Sequence, residues 1–387
     1  EAAGVADAGN GRGLAVGDYD GDGDSDFFVA NQSADSPSEL YRNEGGRFLA
    51  VRELLGITDA PSDVAPAFGD VDDDGDLDLL LSREAGDNQL FRNLGGTRFE
   101  PVAGARLGAG TVGAAFLDYD NDGDLDVLTT SIDGSRGGDQ IFHNRGLSGF
   151  APAGSILGMR DTSTGRGLTT GDLDEDGAID IVVADYGGTV LYRGSARALN
   201  WLRLRLDGSP ANAAGVGARA RVLVDGRWQY REMHTSYGYG SQVQPLLHFG
   251  LSSADAAQEV RIDWTDGQQS RVYSVRANQE LVVGHPGALT SRGALTRRRQ
   301  DVPHPNPFNA QVVIPLTLPA AQHVDVNVYN TTGQRVRSLL SGPRPAGQHR
   351  LLWDGRSRSG DPVGTGVYYV RILTADVSYV ERVLLLK

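Results

Sequence analysis

DYDGDGDSD at 18–26, DVDDDGDLD at 70–78, DYDNDGDLD at 118–126 and DLDEDGAID at 172–180 decide how this chain is read. Their first residues lie 52, 48 and 54 positions apart, and a glycine stands 14 residues before each, at Gly4, Gly56, Gly104 and Gly158. The repeating unit is therefore about 50 residues long and extends well beyond the acidic stretch. Each stretch is followed by an apolar run (Phe27-Phe28-Val29, Leu79-Leu80-Leu81, Val127-Leu128, Ile181-Val182-Val183) and a Gly-rich turn. A second run follows with its own signature: LYRNEGGRF from Leu40, LFRNLGGTRF from Leu90, IFHNRGLSGF from Ile141 and a decayed LYRGS from Leu191. Short strands punctuated by Gly, Asn and Asp, without helical period, predict a β-sheet of about four strands per unit. Radial repetition of such sheets makes a β-propeller. Glu1 to Val5 aligns with Glu53 to Ile57, so the sequence opens in the middle of a unit. Either blades precede it, or a C-terminal strand closes the ring onto the first unit.

Every acidic stretch has Asp at positions 1, 3, 5 and 9 and Gly at position 6 (Gly23, Gly75, Gly123, Gly177). Calcium is a hard cation that takes six to eight oxygens at about 2.3–2.6 Å, and such a loop supplies them, with a backbone carbonyl at position 7 and a glycine for the sharp turn. The side-chain ligands read from this spacing are Asp18, Asp20, Asp22 and Asp26; Asp70, Asp72, Asp74 and Asp78; Asp118, Asp120, Asp122 and Asp126; and Asp172, Asp174, Asp176 and Asp180. Position 7 gives only its carbonyl, which is why Asp24, Asp76, Asp124 and Ala178 can differ there. The bland alternative is a set of acidic β-turns, since Asp and Gly favour turns anyway. Against it, four carboxylates within nine residues repel one another unless a cation sits among them. Magnesium fits less well, because it keeps its waters. The expectation is about four Ca²⁺, one per loop, each a staple within its blade. The loops look self-saturating, whereas a catalytic metal needs an open position.

Composition narrows the classes. The chain has 387 residues, room for two or three cores, and no cysteine, which excludes disulfides, zinc-thiolate sites and thiol catalysis. Residues 1–200 hold 36 acids and 14 bases, and 21 of those acids lie in the four stretches, so the acidity is focused and points to cations rather than nucleic acid. No apolar run approaches the length of a transmembrane span. The first residue is Glu1 and no signal-peptide pattern follows, so the start reads as lying downstream of a translation start.

From Asn200 the acidic loops stop and alternating strands begin: Trp201 to Leu206, Ala218 to Val224 and Glu259 to Trp264, with hairpin turns at Asp225-Gly226 and Asp266-Gly267. A second β domain thus spans 200–283. The stretch 284–302, with Arg297-Arg298-Arg299, reads as a solvated linker. A third β segment, 303–387, opens on HPNPFN and has strands near Val312 to Leu318, Val324 to Tyr329, His349 to Trp353, Gly366 to Leu373 and Val380 to Leu386, a set that suits a small sandwich. The fold class is all-β throughout.

Catalytic constellations are absent: no GxSxG, HExxH, phosphate loop or GxGxxG joins a strand to a helix. The seven histidines are scattered, and His248 in LLHFGL reads as a strand residue with a satisfied ring rather than a base. Trp228, Tyr230, Tyr237 and Tyr239 could stack a sugar, but core and edge packing is the simpler reading.

The D-x-D-x-D-G-x-x-D loops followed by L-Y-R-N resemble FG-GAP/VCBS repeats, the calcium-bearing propeller blades of integrin α-subunits and many bacterial surface proteins. NW at 200–201, GVGARARV at 215–222, SYGYGSQ at 236–242, HFGL at 248–251 and ANQEL at 277–281 resemble the ASPIC/UnbV domain that follows such repeats in the cartilage acidic protein family. One departure is small: Ala211 stands where that family commonly has Ser in S-N-x-x-G-x-G-A. PNPFN at 305–309, VYNTTGQRV at 328–336, LLWDGRSRSGDPVGTGVYYVRI at 351–372 and the closing VERVLLLK resemble the FlgD-like immunoglobulin fold and the similar C-terminal sorting domain of type IX secretion. These resemblances imply export to the outside or the bacterial cell surface, and none implies a defined reaction.

Three functions remain open. The first is a non-catalytic binding or adhesion module whose partner is an extracellular glycan or protein. The second is a structural subunit of a fibre or surface layer, with copies of itself as partner. The third is an enzyme on polysaccharide with its site at the propeller axis, a reading without support from any acid–base pair that calcium leaves free.

Overall fold

The computed structural model describes the chain except for residues 1–2, 6–8, 33–34, 58–61, 132–137, 155–157, 160–164, 186, 195–198, 236–238, 287–294, 298–302, 319–320, 332, 375–377 and 387. The sequence expectations for Glu1, Ala2, Tyr237, most of the 284–302 linker and Lys387 lie outside the described residues.

Four antiparallel sheets follow one another along the chain. The first is β1 (Gly11–Gly17), β2 (Asp26–Asn31), β3 (Glu39–Asn43) and β4 (Phe48–Ala50). The second is β5 (Asp63–Gly69), β6 (Asp78–Arg83), β7 (Gln89–Asn93) and β8 (Phe99–Pro101). The third is β9 (Thr111–Leu117), β10 (Asp126–Ser131), β11 (Gln140–Asn144) and β12 (Phe150–Pro152). The fourth, among the described residues, has three strands rather than four: β13 (Gly165–Gly171), β14 (Asp180–Asp185) and β15 (Gly188–Tyr192), the last being the decayed LYRGS run. In every sheet the acidic stretch links the first strand to the second, and position 9 pairs across the ladder with the residue before position 1: Gly17 with Asp26, Gly69 with Asp78, Leu117 with Asp126 and Gly171 with Asp180.

Neighbouring sheets share a core, which is how a 50-residue unit too small to bury its own apolar surface becomes stable. Phe28, Leu40, Phe91 and Phe99 close the first gap, Leu80, Leu107, Phe116 and Phe142 the second, and Leu128, Ile141, Ile181 and Val183 the third. Inner strands are built from small residues because they approach closely. A Cβ on Gly13 would lie 2.3 Å from the Val64 carbonyl oxygen of the next sheet.

β16 (Asn200–Asp207) pairs with β19 (Leu247–Ser252), and a four-stranded sheet takes the order β18 (Arg227–Glu232), β17 (Arg219–Val224), β20 (Ala256–Asp263), β21 (Gln269–Arg276). The Asp225-Gly226 turn joining β17 to β18 has positive φ at both residues (49° and 83°), as the two-residue hairpin expected there requires. Residues 1–206 and 212–278 form one compact unit, so these strands belong to the same body as the blades.

The second compact unit comprises 207–211 and 279–387. β22 (Gln279–Gly284) pairs with β23 (Leu295–Arg297), β24 (Val312–Leu318) with β27 (Gly347–Trp353), and the four-stranded sheet runs β26 (Arg335–Arg344), β25 (Gln322–Asn330), β28 (Gly366–Thr374), β29 (Ser378–Leu385). The inward faces of β24 to β29 meet on a fully buried Trp353, with Phe308 at 5.5 Å and Tyr368 at 5.0 Å between ring centres. The PNPFN segment is pinned to the last strand: the Phe308 amide donates to the Leu384 carbonyl, and Asn306 Oδ1 accepts from the Leu384 amide at 2.8 Å.

Candidate metal centres

Local backbone geometry gathers the carboxylates. Position 6 is left-handed in all four loops (Gly23, Gly75, Gly123 and Gly177, φ 93–99°), and so is position 4 (Gly21 at 76°, Asp73 at 58°, Asn121 at 64°, Glu175 at 61°). Two left-handed residues flanking position 5 curl the chain so that the position-1 carboxylate accepts backbone N–H groups from within its own loop. Asp18 takes Gly21 and Gly23 at 2.9 and 3.0 Å, Asp70 takes Asp74 and Gly75 at 3.2 and 2.9 Å, and Asp172 takes Asp176 and Gly177 at 3.0 and 2.8 Å.

Position 9 ties each loop to its sheet. Asp26, Asp78, Asp126 and Asp180 are buried, and each accepts the position-2 amide with one oxygen and, with the other, an amide from the end of the third strand (Asn43, Asn93, Asn144) or just beyond it (Gly194). The asparagine of the L-Y-R-N signature has a further task. Asn93 Nδ2 donates to the Tyr19 carbonyl of the preceding loop and to Leu77, and Asn144 Nδ2 donates likewise to Val71 and Leu125. The signature is thus a link from blade to blade through the acidic loops.

Oxygens able to meet on one ion come together as Asp18, Asp20 and Asp22; Asp70, Asp72 and Asp78; Asp118, Asp120 and Asp122; and Asp172, Asp174 and Asp180. A fifth group joins Asp120 and Asp126 to His143, a residue the sequence reading did not single out. Its only sequence signal is the departure of IFHN from L-Y-R-N. Among the described residues Asp26, Asp74 and Asp176 fall outside these groups. At position 7 the carboxylates are engaged elsewhere: Asp24 accepts from Gly45 N–H at 3.1 Å, Asp76 from Gly95 N–H at 2.7 Å, and Asp124 from Arg227. Ala178, in the fourth loop, has no carboxylate to offer.

The residues present fit a divalent cation. Asp118 is 2% exposed, and while its Oδ2 accepts from Gly123 and Gly250 N–H, its Oδ1 is buried with no hydrogen-bond partner; Asp120 Oδ1 and Asp174 Oδ1 are in the same position. A buried carboxylate oxygen without a donor is costly unless something positive meets it. Burial also pushes loop acids upward: Asp26, Asp70 and Asp126 to about 7 and Asp78 to about 8. Carboxyls raised in the folded state favour folding below their ordinary range and lose that contribution as pH climbs through 7 to 8. The cation-free chain should therefore become less stable between about pH 5 and pH 8, while the cation-loaded chain, in which the ion needs the ionised form, should not. Calorimetry with Ca²⁺ and with chelator should show the gap in melting temperature widening with pH; a constant gap would contradict this.

Donors from 200–278 reach every loop. Arg219 Nη2 lies 3.1 Å from Asp18 Oδ2, Arg203 Nη1 2.9 Å from Asp172 Oδ2, and the Gly250 amide 2.8 Å from Asp118 Oδ2. Arg227 bonds Asp73 and Asp124, and Arg231 Nη2 donates to the Gly123 carbonyl. The polar face of β16 and β17, which alternation alone reads as wet, is in part a set of countercharges laid on the loops; Arg203 is only 12% exposed. Between loops and strands lies a narrow cavity of about 100 Å³, lined among others by Asp70, Asp118, Asp172, Arg203, Arg231 and Glu232. It is smaller than the about 300–1,000 Å³ of typical ligand sites.

His248 is less satisfied than expected. Nε2 is 2.6 Å from Asn121 Oδ1 and the ring stacks on Trp201, but Nδ1 is buried without a partner. Burial, reinforced by Arg203 and Arg231, lowers its pKa to about 3, so it is a neutral ring. Trp228 and Tyr230 are covered by Arg261 and Arg221 at 5.0 and 6.0 Å, as packing predicts.

Comparison with known proteins agrees with this anatomy. An FG-GAP-like repeat family model matches residues 18–81, 70–129 and 118–183, the ASPIC and UnbV model matches 208–290, and the FlgD Ig-like domain model matches 309–376. Cartilage acidic protein 1 of Mus musculus is 28% identical over 363 residues, covering 85% of this chain and 54% of that protein, and the Homo sapiens protein is 26% identical, covering 88% and 55%. The chain spans about half the length of the curated relatives it matches. Among solved structures, PorZ, a bacterial surface component of the type-IX secretion system of Porphyromonas gingivalis, is 14% identical with a TM-score of 0.32, covering 97% of this chain and 51% of that one, a likeness too loose to bear on fold or function. Among the described residues no helix is long and apolar enough to cross a membrane. In order along the sequence, this all-β chain carries FG-GAP-like repeats, an ASPIC and UnbV region and a FlgD Ig-like domain.

Proposed function

We propose that this chain is an exported or cell-surface protein in which four Ca²⁺ ions, one per Asp loop, rigidify a non-catalytic module for binding an extracellular glycan or protein. The observation that carries the reading is the convergence of position-1 and position-3 carboxylates in all four loops, with buried oxygens that lack donors in two of them. Asp18, Asp20 and Asp22, Asp70, Asp72 and Asp78, Asp118, Asp120 and Asp122, and Asp172, Asp174 and Asp180 would hold the ions, completed by Asp26, Asp74, Asp126 and Asp176 and the position-7 carbonyls of Asp24, Asp76, Asp124 and Ala178. A bound ion supplies a cross-link between the strands that each loop joins. Extracellular modules bind calcium with dissociation constants of about 10⁻⁴–10⁻³ M, which suits an outside location where the ion is plentiful. The similarity to cartilage acidic protein 1 and the FlgD Ig-like match support the same placement. A subunit of a fibre or surface layer is the second reading, favoured by the way Asn93 and Asn144 lock blades into a stiff stack. Light scattering and a glycan array on the calcium-loaded chain separate the two. A discrete particle that retains particular glycans or a matrix protein is expected; concentration-dependent growth of filaments without ligand capture would transfer the assignment to the structural role.

A further inference from the structure

The third loop differs from the other three in one donor. In the second and fourth loops the third residue of the L-Y-R-N run is an arginine that pairs with the position-3 carboxylate: Arg92 Nε lies 2.5 Å from Asp72 Oδ2, and Arg193 Nη2 3.0 Å from Asp174 Oδ2. A guanidinium is all donor and cannot ligate a cation. The third loop has His143 in that place, the one side chain of the set with a nitrogen lone pair to give.

His143 Nδ1 lies 3.2 Å from Asp126 Oδ1 and 3.7 Å from Asp120 Oδ2, and the three groups can present ligand atoms within 4.8 Å of one another. Bonds of about 2.0–2.2 Å from a small divalent metal to nitrogen and oxygen place neighbouring ligands roughly 3.0–3.4 Å apart, close to the separations seen here. The adjoining group of Asp118, Asp120 and Asp122 shares Asp120 with this one, and Asp118 Oδ1, buried on a residue 2% exposed, and Asp120 Oδ1 are both without a hydrogen-bond donor. These are oxygens in search of a positive partner, independent of the imidazole. Strand β19 also reaches the third loop, through Gly250 and His248.

We propose that the third Asp loop is a mixed carboxylate–imidazole site, holding a divalent transition-metal ion through His143 Nδ1 together with Asp120 and Asp126. Imidazole favours such ions over calcium, which prefers oxygen alone. On binding, the Nδ1 proton is released to solvent and the ion takes its place; the remaining ring proton sits on Nε2, which faces Asp122 Oδ2 at 3.9 Å. The inference rests on the reading of the loops as cation sites and adds a preference at one of them.

The test uses the full chain, stripped with chelator, given one equivalent of Mn²⁺ and excess Ca²⁺, and compared with His143→Arg. Arginine already serves at the equivalent positions 92 and 193, so the variant should fold, and its calcium content and melting temperature verify that. Wild type should retain Mn²⁺ against calcium about tenfold better than the variant, the scale on which metal-site substitutions act. Pulsed electron paramagnetic resonance should show ¹⁴N modulation from one imidazole in wild type and none in His143→Arg. Calcium bound near four with no nitrogen coupling, or with equal Mn²⁺ retention in both proteins, would overturn the preference and leave the calcium reading standing. If neither Ca²⁺ nor Mn²⁺ binds, both fall together.

Discussion

Removing divalent cations from the full chain should lower the melting temperature of the blade-bearing unit by about 10 °C or more and leave that of the C-terminal sandwich unchanged. A site with a dissociation constant of about 10⁻⁴–10⁻³ M contributes roughly 1–2 kcal/mol in about 5 mM Ca²⁺ by mass action. Four such sites act on one body, because all the loops lie within 1–206. For a unit of this size each kcal/mol moves the midpoint by about 2–4 °C. The sandwich contributes no group of metal-capable side chains among the described residues, and its core is Trp353 and the apolar strands around it. Two calorimetric transitions are expected, one that moves with chelator and one that does not. Equal shifts in both, or none in either, would argue that the loops do not hold the blades together.

Gly250→Ala should be strongly destabilising for a single added methyl. A Cβ at 250 would lie 2.3 Å from the Asn121 carbonyl carbon and from Asp118 Oδ2, and 2.5 Å from Asn121 Cα. Two of these are backbone atoms, so no side-chain rotation relieves the clash. The contact it breaks is where β19 grips the third loop: Gly250 N–H to Asp118 Oδ2, Ser252 N–H to the Asn121 carbonyl at 2.9 Å and His248 to Asn121 Oδ1. Overpacking of this kind costs about 1–3 kcal/mol, and loss of a charge-assisted hydrogen bond adds to it. The variant should lose about 2–4 kcal/mol in denaturant melts and weaken the third metal site. Gly171→Ala is the control, since a Cβ there meets nothing within 4 Å; it should stay within about 0.5 kcal/mol of wild type. A neutral Gly250→Ala would mean that the docking of 200–278 on the loops contributes little.

The repeat, the strands and the acidic loops were legible in the sequence because each is a local pattern: Asp spacing, alternation, and glycine where the chain must turn left-handed. The left-handed position 4 was not, since Gly21, Asp73, Asn121 and Glu175 share no residue type. The strand Arg335–Arg344 was missed because Gly342 and Pro343 interrupt its alternation. The grip of Arg203, Arg219, Arg227 and Gly250 on the loops could not be read at all. Those contacts join residues tens to hundreds of positions apart, and arginine on the polar side of an alternating strand looks the same whether it faces water or a carboxylate. His143 stood in plain view as a departure from L-Y-R-N, but its meaning depends on Asp120 and Asp126 being folded beside it.

The most direct test of the account is calcium stoichiometry on the chelator-stripped full chain, by equilibrium dialysis with elemental analysis, repeated on a variant carrying Asp18→Asn, Asp70→Asn, Asp118→Asn and Asp172→Asn. About four ions per chain, lost in the variant, is the expected result; a chain that binds no calcium, or binds it equally well without those four carboxylates, would contradict it.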